Sequence, residues 1–150
     1  MSHAEFSNKI EMKNFAYEGR TGLDEEAVKS SVAGFLRSRG YTVAVGKKRE
    51  RGPDMRASKE GLKLIVEAKG EGSRNEMFNN FFVSALGEIL QRMTEQAAEY
   101  GIALPAHRKF ARLIEELSDT PRYVLRLNFY LVRPSSVGDS EVGLLKWDVK

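Results

Sequence analysis

The order of helical and strand-like patterns in these 150 residues predicts an α/β fold, a layered α/β/α sandwich around a central mixed sheet. Three observations predict it. Amphipathic helical stretches alternate with short apolar or alternating strand stretches from residue 23 onward. A tight turn at Lys59-Glu60-Gly61 joins two of the strands as a hairpin. A long methionine- and phenylalanine-rich helical stripe follows the hairpin, wide enough to cover a sheet face.

Taken in order, residues 1–22 are polar and mixed. They are read as a partly flexible N-terminal extension, with residues 1–11 a frayed start and Met12 an alternative initiator. Residues 23–150 form a single domain. Its first helix starts at the N-cap Asp24, with Glu25 and Glu26 in the first turn where the helix dipole favours acids. Ala27, Val28, Ser31, Val32, Phe35 and Leu36 form its buried stripe, and Gly40 stops it. Glu25 lines up with Val32 and Leu36 at the stripe's margin, whereas Glu26 points away with Ala33 and Arg37. A strand over Tyr41–Val45 leads into the basic run Lys47-Lys48-Arg49-Glu50-Arg51.

The hairpin occupies the stretch from Arg51 to Lys69. On its second strand Leu64, Val66 and Ala68 face one way and Ile65, Glu67 and Lys69 the other. Folding back around the turn sets Asp54 opposite position 66, within a residue. Asp54, Glu67 and Lys69 therefore converge. Adjacent carboxylates raise each other's pKa, and a divalent cation removes the conflict. Mg²⁺ suits such a site because it takes one or two carboxylates and keeps several waters. A lysine beside it can hold the attacking water, which completes a set able to hydrolyse a phosphodiester.

After the flexible loop Gly70–Arg74, a long helix starts at Ser73 or Asn75 and runs to about Glu99. Its stripe contains Met77, Phe78, Phe81, Phe82, Ala85, Leu86, Ile89, Leu90 and Met93. Glu88 lies at the stripe's edge and needs a partner: Arg92 four residues on, or Lys69 and the water it holds. Gln91 is the alternative polar residue on this helix. Tyr100–Pro105 is a buried strand, and His107–Leu117 is a helix with Phe110, Leu113, Ile114 and Leu117 inward and His107 exposed in the first turn. Arg108, Lys109 and Arg112 on this helix read first as a solvated face and second as residues that could meet DNA. Tyr123–Val132 alternates as a sheet strand, 135–140 is a loop, and Val142–Val149 is a last strand in which Trp147 packs.

Composition sets outer bounds. Hydrophobic residues at 41% and charged residues at 30% are ordinary for a globular domain. With no cysteine and only His3 and His107, disulfides, thiolate sites and histidine-rich zinc sites are excluded. No apolar run is long enough for a membrane span and no leader pattern is visible, so a cytoplasmic protein is expected. The formal charge of +3 and a pI near 9.2 permit nucleic-acid binding without requiring it.

Pro53-Asp54, followed by Glu67-Ala68-Lys69 at the end of an apolar strand, resembles the PD-(D/E)xK nuclease superfamily, whose core is the restriction-endonuclease-like fold. Glu-x-Lys alone is uninformative, since Glu11-Met12-Lys13 repeats it, but Pro53-Asp54 is the only Pro-Asp pair in the chain. Ala85-Leu86-Gly87-Glu88 also resembles the long-helix element of small stand-alone members, such as mobile-element excision-controlling factors and junction resolvases. The resemblance covers residues 23–132. It implies a Mg²⁺-dependent DNA endonuclease, with Mn²⁺ as substitute and no organic cofactor. Asp54, Glu67 and the carbonyl of Ala68 would be the metal ligands, Lys69 would position water, and Glu25 and Glu88 would form an outer shell. Lys47, Lys48, Arg49, Arg51 and Arg74 would meet the DNA backbone. One such site cuts one strand, so a homodimer would supply the second. The alternative is a nuclease-fold module that binds nucleic acid or a partner protein without cutting; the remaining one is a structural hairpin whose Glu67 and Lys69 are only a solvated pair.

Overall fold

The computed structural model describes residues 3–47, 51–136 and 138–150. Its elements run His3–Glu5 (β1), Lys9–Phe15 (α1), Glu25–Ser38 (α2), Thr42–Val45 (β2), Met55–Lys59 (β3), Leu62–Ala68 (β4), Asn75–Gln91 (α3), Glu99–Pro105 (β5), Arg108–Glu116 (α4), Asp119–Leu125 (α5), Leu127–Pro134 (β6) and Ser140–Leu145 (β7). The strands form one mixed sheet in the order β1-β7-β6-β5-β4-β3-β2. The central pairs β4–β5 and β5–β6 are parallel, whereas β2–β3, β3–β4 and β6–β7 are antiparallel.

Alternation along β4 sorts its side chains to two cores, as period two requires. Leu64, Val66 and Ala68 join Val28, Val32, Phe35 and Leu36 of α2 on one face. Ile65 joins Met12, Phe78, Phe82, Ile89, Phe110 and Ile114, from α1, α3 and α4, on the other. Each fully buried aliphatic or aromatic side chain contributes about 1.5–3 kcal/mol relative to exposure. Helices on both faces are therefore what let β4, β5 and β6 be apolar nearly throughout. Residues 3–22 belong to this architecture too. β1 pairs with β7, and Met12 and Phe15 of α1 are buried in the second core.

Local chemistry sets the ends of α2. The Asp24 side chain accepts a 2.8 Å hydrogen bond from the Ala27 amide. At the other end Gly40 has φ +92°, and the Tyr41 amide reaches back to the Leu36 carbonyl at 3.0 Å, the six-to-one bond of a Schellman ending.

Four expectations from the sequence need correction. The helix expected to reach Glu99 leaves α-geometry at Gln91 and continues only as a 3₁₀ turn, Arg92–Thr94. Past Met93 the only apolar residues before Tyr100 are Ala97 and Ala98, and the chain turns back to start β5 beside β4. The strand expected from Tyr123 begins at Leu127, because Ser118 caps a short helix through Thr120 and Arg122 anchors it. Arg122 is fully buried and donates to the carbonyls of Lys146 and Val149 and to Asp119. The last strand is Ser140–Leu145, and Trp147 lies beyond it, packed edge-on against Tyr123 and donating to Glu99. His107 is buried rather than exposed: its ring is wedged between Tyr17 and Phe78 and its Nδ1 caps α4 by accepting from the Lys109 amide.

The β3–β4 hairpin turns on two residues, Glu60 (φ +52°) and Gly61 (φ +79°), the backbone of a type I′ turn. Glycine adopts such angles freely, whereas glutamate there is strained. Glu60→Asn, which tolerates the left-handed region, is expected to raise unfolding stability by about 0.5–1 kcal/mol at unchanged denaturant slope in urea titration. An unchanged midpoint would mean the turn carries no strain.

Candidate active site

The hairpin register pairs Met55 with Val66, so the next step outward sets Asp54 beside Glu67. This is one position from residue 66, within the span read from the sequence. Asp54 is tied down through its Oδ2, which accepts a 2.8 Å hydrogen bond from the Ala68 amide. The register brings the carboxyls of Asp54 and Glu67 side by side. Glu67 is only 2% exposed. Burial, with the contact and charge of Asp54 added, pushes its pKa up to about 7, against the lowering pull of Arg92. Near neutrality, then, Glu67 keeps a proton that a solvated carboxylate would have lost.

Cations from three elements surround the pair. Arg92, at the end of α3, donates from Nε to Glu67 Oε1 at 2.6 Å. Lys29 of α2, 3% exposed, places its Nζ 4.0 Å from Asp54 Oδ1 and donates to Glu26 Oε1 at 3.3 Å and to the Gly46 carbonyl at 3.2 Å. Lys69, past the end of β4, donates to Glu88 Oε1 at 2.8 Å, and the Ser84 hydroxyl donates to the same oxygen at 3.2 Å. Of the two partners open to Glu88 in the sequence, Lys69 takes it and Arg92 goes to Glu67 instead. Gln91 is exposed.

Glu25 reaches the cluster from the first turn of α2, half-buried, while Glu26 is exposed and only touches Lys29. Burial first, then the charge of Asp54, raises the Glu25 pKa, and Lys69 and Lys29 pull it back. Its position depends on Gly70. A Cβ there would meet the Glu25 amide nitrogen at 2.5 Å, so only glycine lets the chain leaving Lys69 pass the start of α2. Glu71 then locks this crossing, accepting from the Tyr17 hydroxyl, the Thr21 amide and hydroxyl, and the Gly22 amide.

The basic candidates divide. Lys48 and Arg49 lie outside the described residues. Gly46 and Asp54 are joined by a 2.8 Å backbone hydrogen bond, so Lys47 sits one residue from the stem of a loop that returns into the site. Arg51 is exposed on that loop. Arg74 stands apart: it precedes α3, pairs with Glu76 at 3.4 Å, and is separated from Glu88 by about 20 Å of helix.

Lys29 was not singled out in the sequence, and Arg92 was named there only as a partner for Glu88, not for Glu67. Lys29 falls in angular line with Ala33 and Leu36, so a cation in a buried stripe was a readable signal. Arg92 offered none, because its pairing across to β4 depends on how α3 lies on the sheet. Among the described residues no three His, Cys, Asp or Glu side chains close on one point. The donor set is the Asp54–Glu67 pair, with the rest of a coordination shell left to water. That fits Mg²⁺, and the proton held by Glu67 is what a divalent cation would displace.

The pH dependence of folding tests this geometry. With its folded pKa raised from 4.5 to about 7, Glu67 contributes stability that is full below about 4.5 and lost as pH rises through 7. Without metal, Glu67→Gln is expected to gain on the order of 1–3 kcal/mol relative to wild type between pH 4.5 and pH 8 in denaturant titrations. A difference independent of pH would show that Glu67 is ionised throughout.

No protein-family model matches the chain, and no curated protein matches it.

Proposed function

We propose that this chain is a divalent-metal-dependent DNA endonuclease on a restriction-endonuclease-like α/β/α sandwich. The observation that carries the reading is the contact of Asp54 with Glu67 at the open end of a hairpin whose next side chain outward is Lys69. Helices on both sheet faces, and the succession of α2, hairpin, α3, β5, α4 and β6, support the fold assignment.

Asp54 and Glu67, with the carbonyl of Ala68, would hold Mg²⁺ or Mn²⁺, which supplies charge stabilisation at the scissile phosphate. Lys69, steered by Glu88, holds the attacking water. Glu25 closes the cluster from the α2 side and keeps a carboxylate within electrostatic reach of Lys69. The water oxygen attacks phosphorus and gives one proton to solvent, the P–O3′ bond breaks, and the 3′ oxygen leaves as a hydroxyl after taking a proton from solvent. The 5′ side keeps the phosphate. Lys47 and Arg51, on the loop returning to Asp54, would contact the DNA backbone without reading sequence.

One observation favours a second reading, a module that binds nucleic acid or a partner protein without cutting. Glu67 and Lys69 already have internal partners, Arg92 and Glu88, so the cluster is also a closed ion network.

Purified wild type is expected to nick plasmid DNA only with Mg²⁺ or Mn²⁺. Asp54→Asn, Glu67→Gln and Lys69→Ala should each lose about a hundredfold or more of that activity while keeping a cooperative melt. Wild-type rates in any of the three would overturn the assignment. A wild type that neither cuts nor gains melting temperature with Mg²⁺ would establish the closed network instead.

A further inference from the structure

A cleft of about 340 Å³ lies between the Glu18–Arg20 loop, the start of α3 and the start of α4. Arg20, Asn75, His107, Arg108, Lys109 and Arg112 line it. Its one acid, Glu18, is taken by Arg108. Arg20, Lys109 and Arg112 have no acidic ion-pair partner among the described residues, so the cleft keeps three uncompensated cations. The 17-residue helix α3 begins there at Asn75 with no side-chain cap; its Met77 amide already donates to the Arg74 carbonyl at 3.1 Å, which leaves the Asn75 and Glu76 amides to face an anion. The floor is rigid: the buried His107 ring sits 4.5 Å from that of Phe78, and Glu71 ties Tyr17 and Thr21 to the chain that follows Lys69.

The geometry points to this cleft as a second seat for nucleic-acid phosphates, separate from the cleavage cluster and resting on the nuclease reading of that cluster. Asn75 and Glu88 lie on one helix, 13 residues apart in number, or about 20 Å. At 3.4 Å of rise per nucleotide, a duplex crossing both places would meet the cleft about six steps from the scissile phosphate. The cleft holds the backbone, and so sets which phosphate reaches Lys69. Contacts to phosphates carry no sequence information, so its contribution is independent of sequence.

The test is the salt dependence of binding to a fluorescent 20-base-pair duplex in EDTA, read by anisotropy. Lys109→Gln/Arg112→Gln changes side chains at the rim and is compared with Arg37→Gln/Lys63→Gln, a control that removes two distant cations. The cleft variant is expected to bind about tenfold more weakly at low salt, with a log–log salt slope shallower by about 2, while the control matches wild type. Normal binding by the cleft variant, or equal losses in both variants, would overturn the cleft and leave the nuclease reading standing. A wild type that nicks plasmid yet binds duplex with the variant's slope would do the same. No binding of any DNA by wild type, or preferential binding of poly-glutamate, would overturn both.

Discussion

Asp54 and Glu67 are pressed together by the register of a two-residue hairpin, and much of the surrounding structure answers the repulsion this creates. The Ala68 amide fixes one carboxylate, Arg92 holds the other, and Lys29 approaches from the opposite side of the sheet edge. None of these alone makes the pair comfortable, as the raised pKa of Glu67 records. A buried carboxyl pair with flanking cations is costly as a structural device. Glu67 is buried at this strand end while Asp54 stays part-exposed, and perturbed carboxyl pairs of this kind occur both in functional sites and in structural ion networks.

The sheet is what makes the register dependable. Because β4 is buried on both faces, slipping it by one residue would move Leu64 and Val66 out of one core and Ile65 out of the other, and slipping β3 would turn Met55 and Ala57 out of the first. Register errors are thus penalised twice, and Asp54 inherits that precision. The neighbouring strand contributes too. Gly101 of β5 lies under the Tyr130 ring, where a Cβ would come within 2.6 Å of it, so only glycine leaves room for that ring on the sheet. Loop chemistry extends the order outward from β4. Gly70 lets the chain cross the start of α2 in contact, and Glu71 gathers four donors from residues 17–22. The segment before α2 is thereby tied to the same end of the sheet as the carboxylates.

Helices carry the longer-range part of the arrangement. α3 lies with Arg92 against Glu67 and Glu88 against Lys69, one turn of helix spanning two residues of strand and its continuation. This match lets one helix face serve both the ammonium and the carboxylate. α5 shows the same dependence on distant chain in a different form. The fully buried Arg122 is tolerated because carbonyls of residues 146 and 149 accept its donors.

Local rules read from the amino-acid order were enough for the hairpin, the two faces of β4, the capped start of α2 and the choice of Glu25 over Glu26, because each depends on side-chain period or on a few adjacent residues. The same rules placed Asp54 within one residue of its partner. They failed at Tyr123–Arg126, where strand-like alternation was overridden by a cap at Ser118 and by the anchoring of Arg122, and at His107, whose burial depends on Tyr17 from ninety residues earlier. They were silent on Arg92 reaching Glu67 and on the gathering of Arg20 with Lys109 and Arg112. Sequence alone determined which carboxylates and which lysine would share a strand end; tertiary structure alone decided which cations face them, because those cations come from helices whose positions are settled by packing across the sheet and not by any local period.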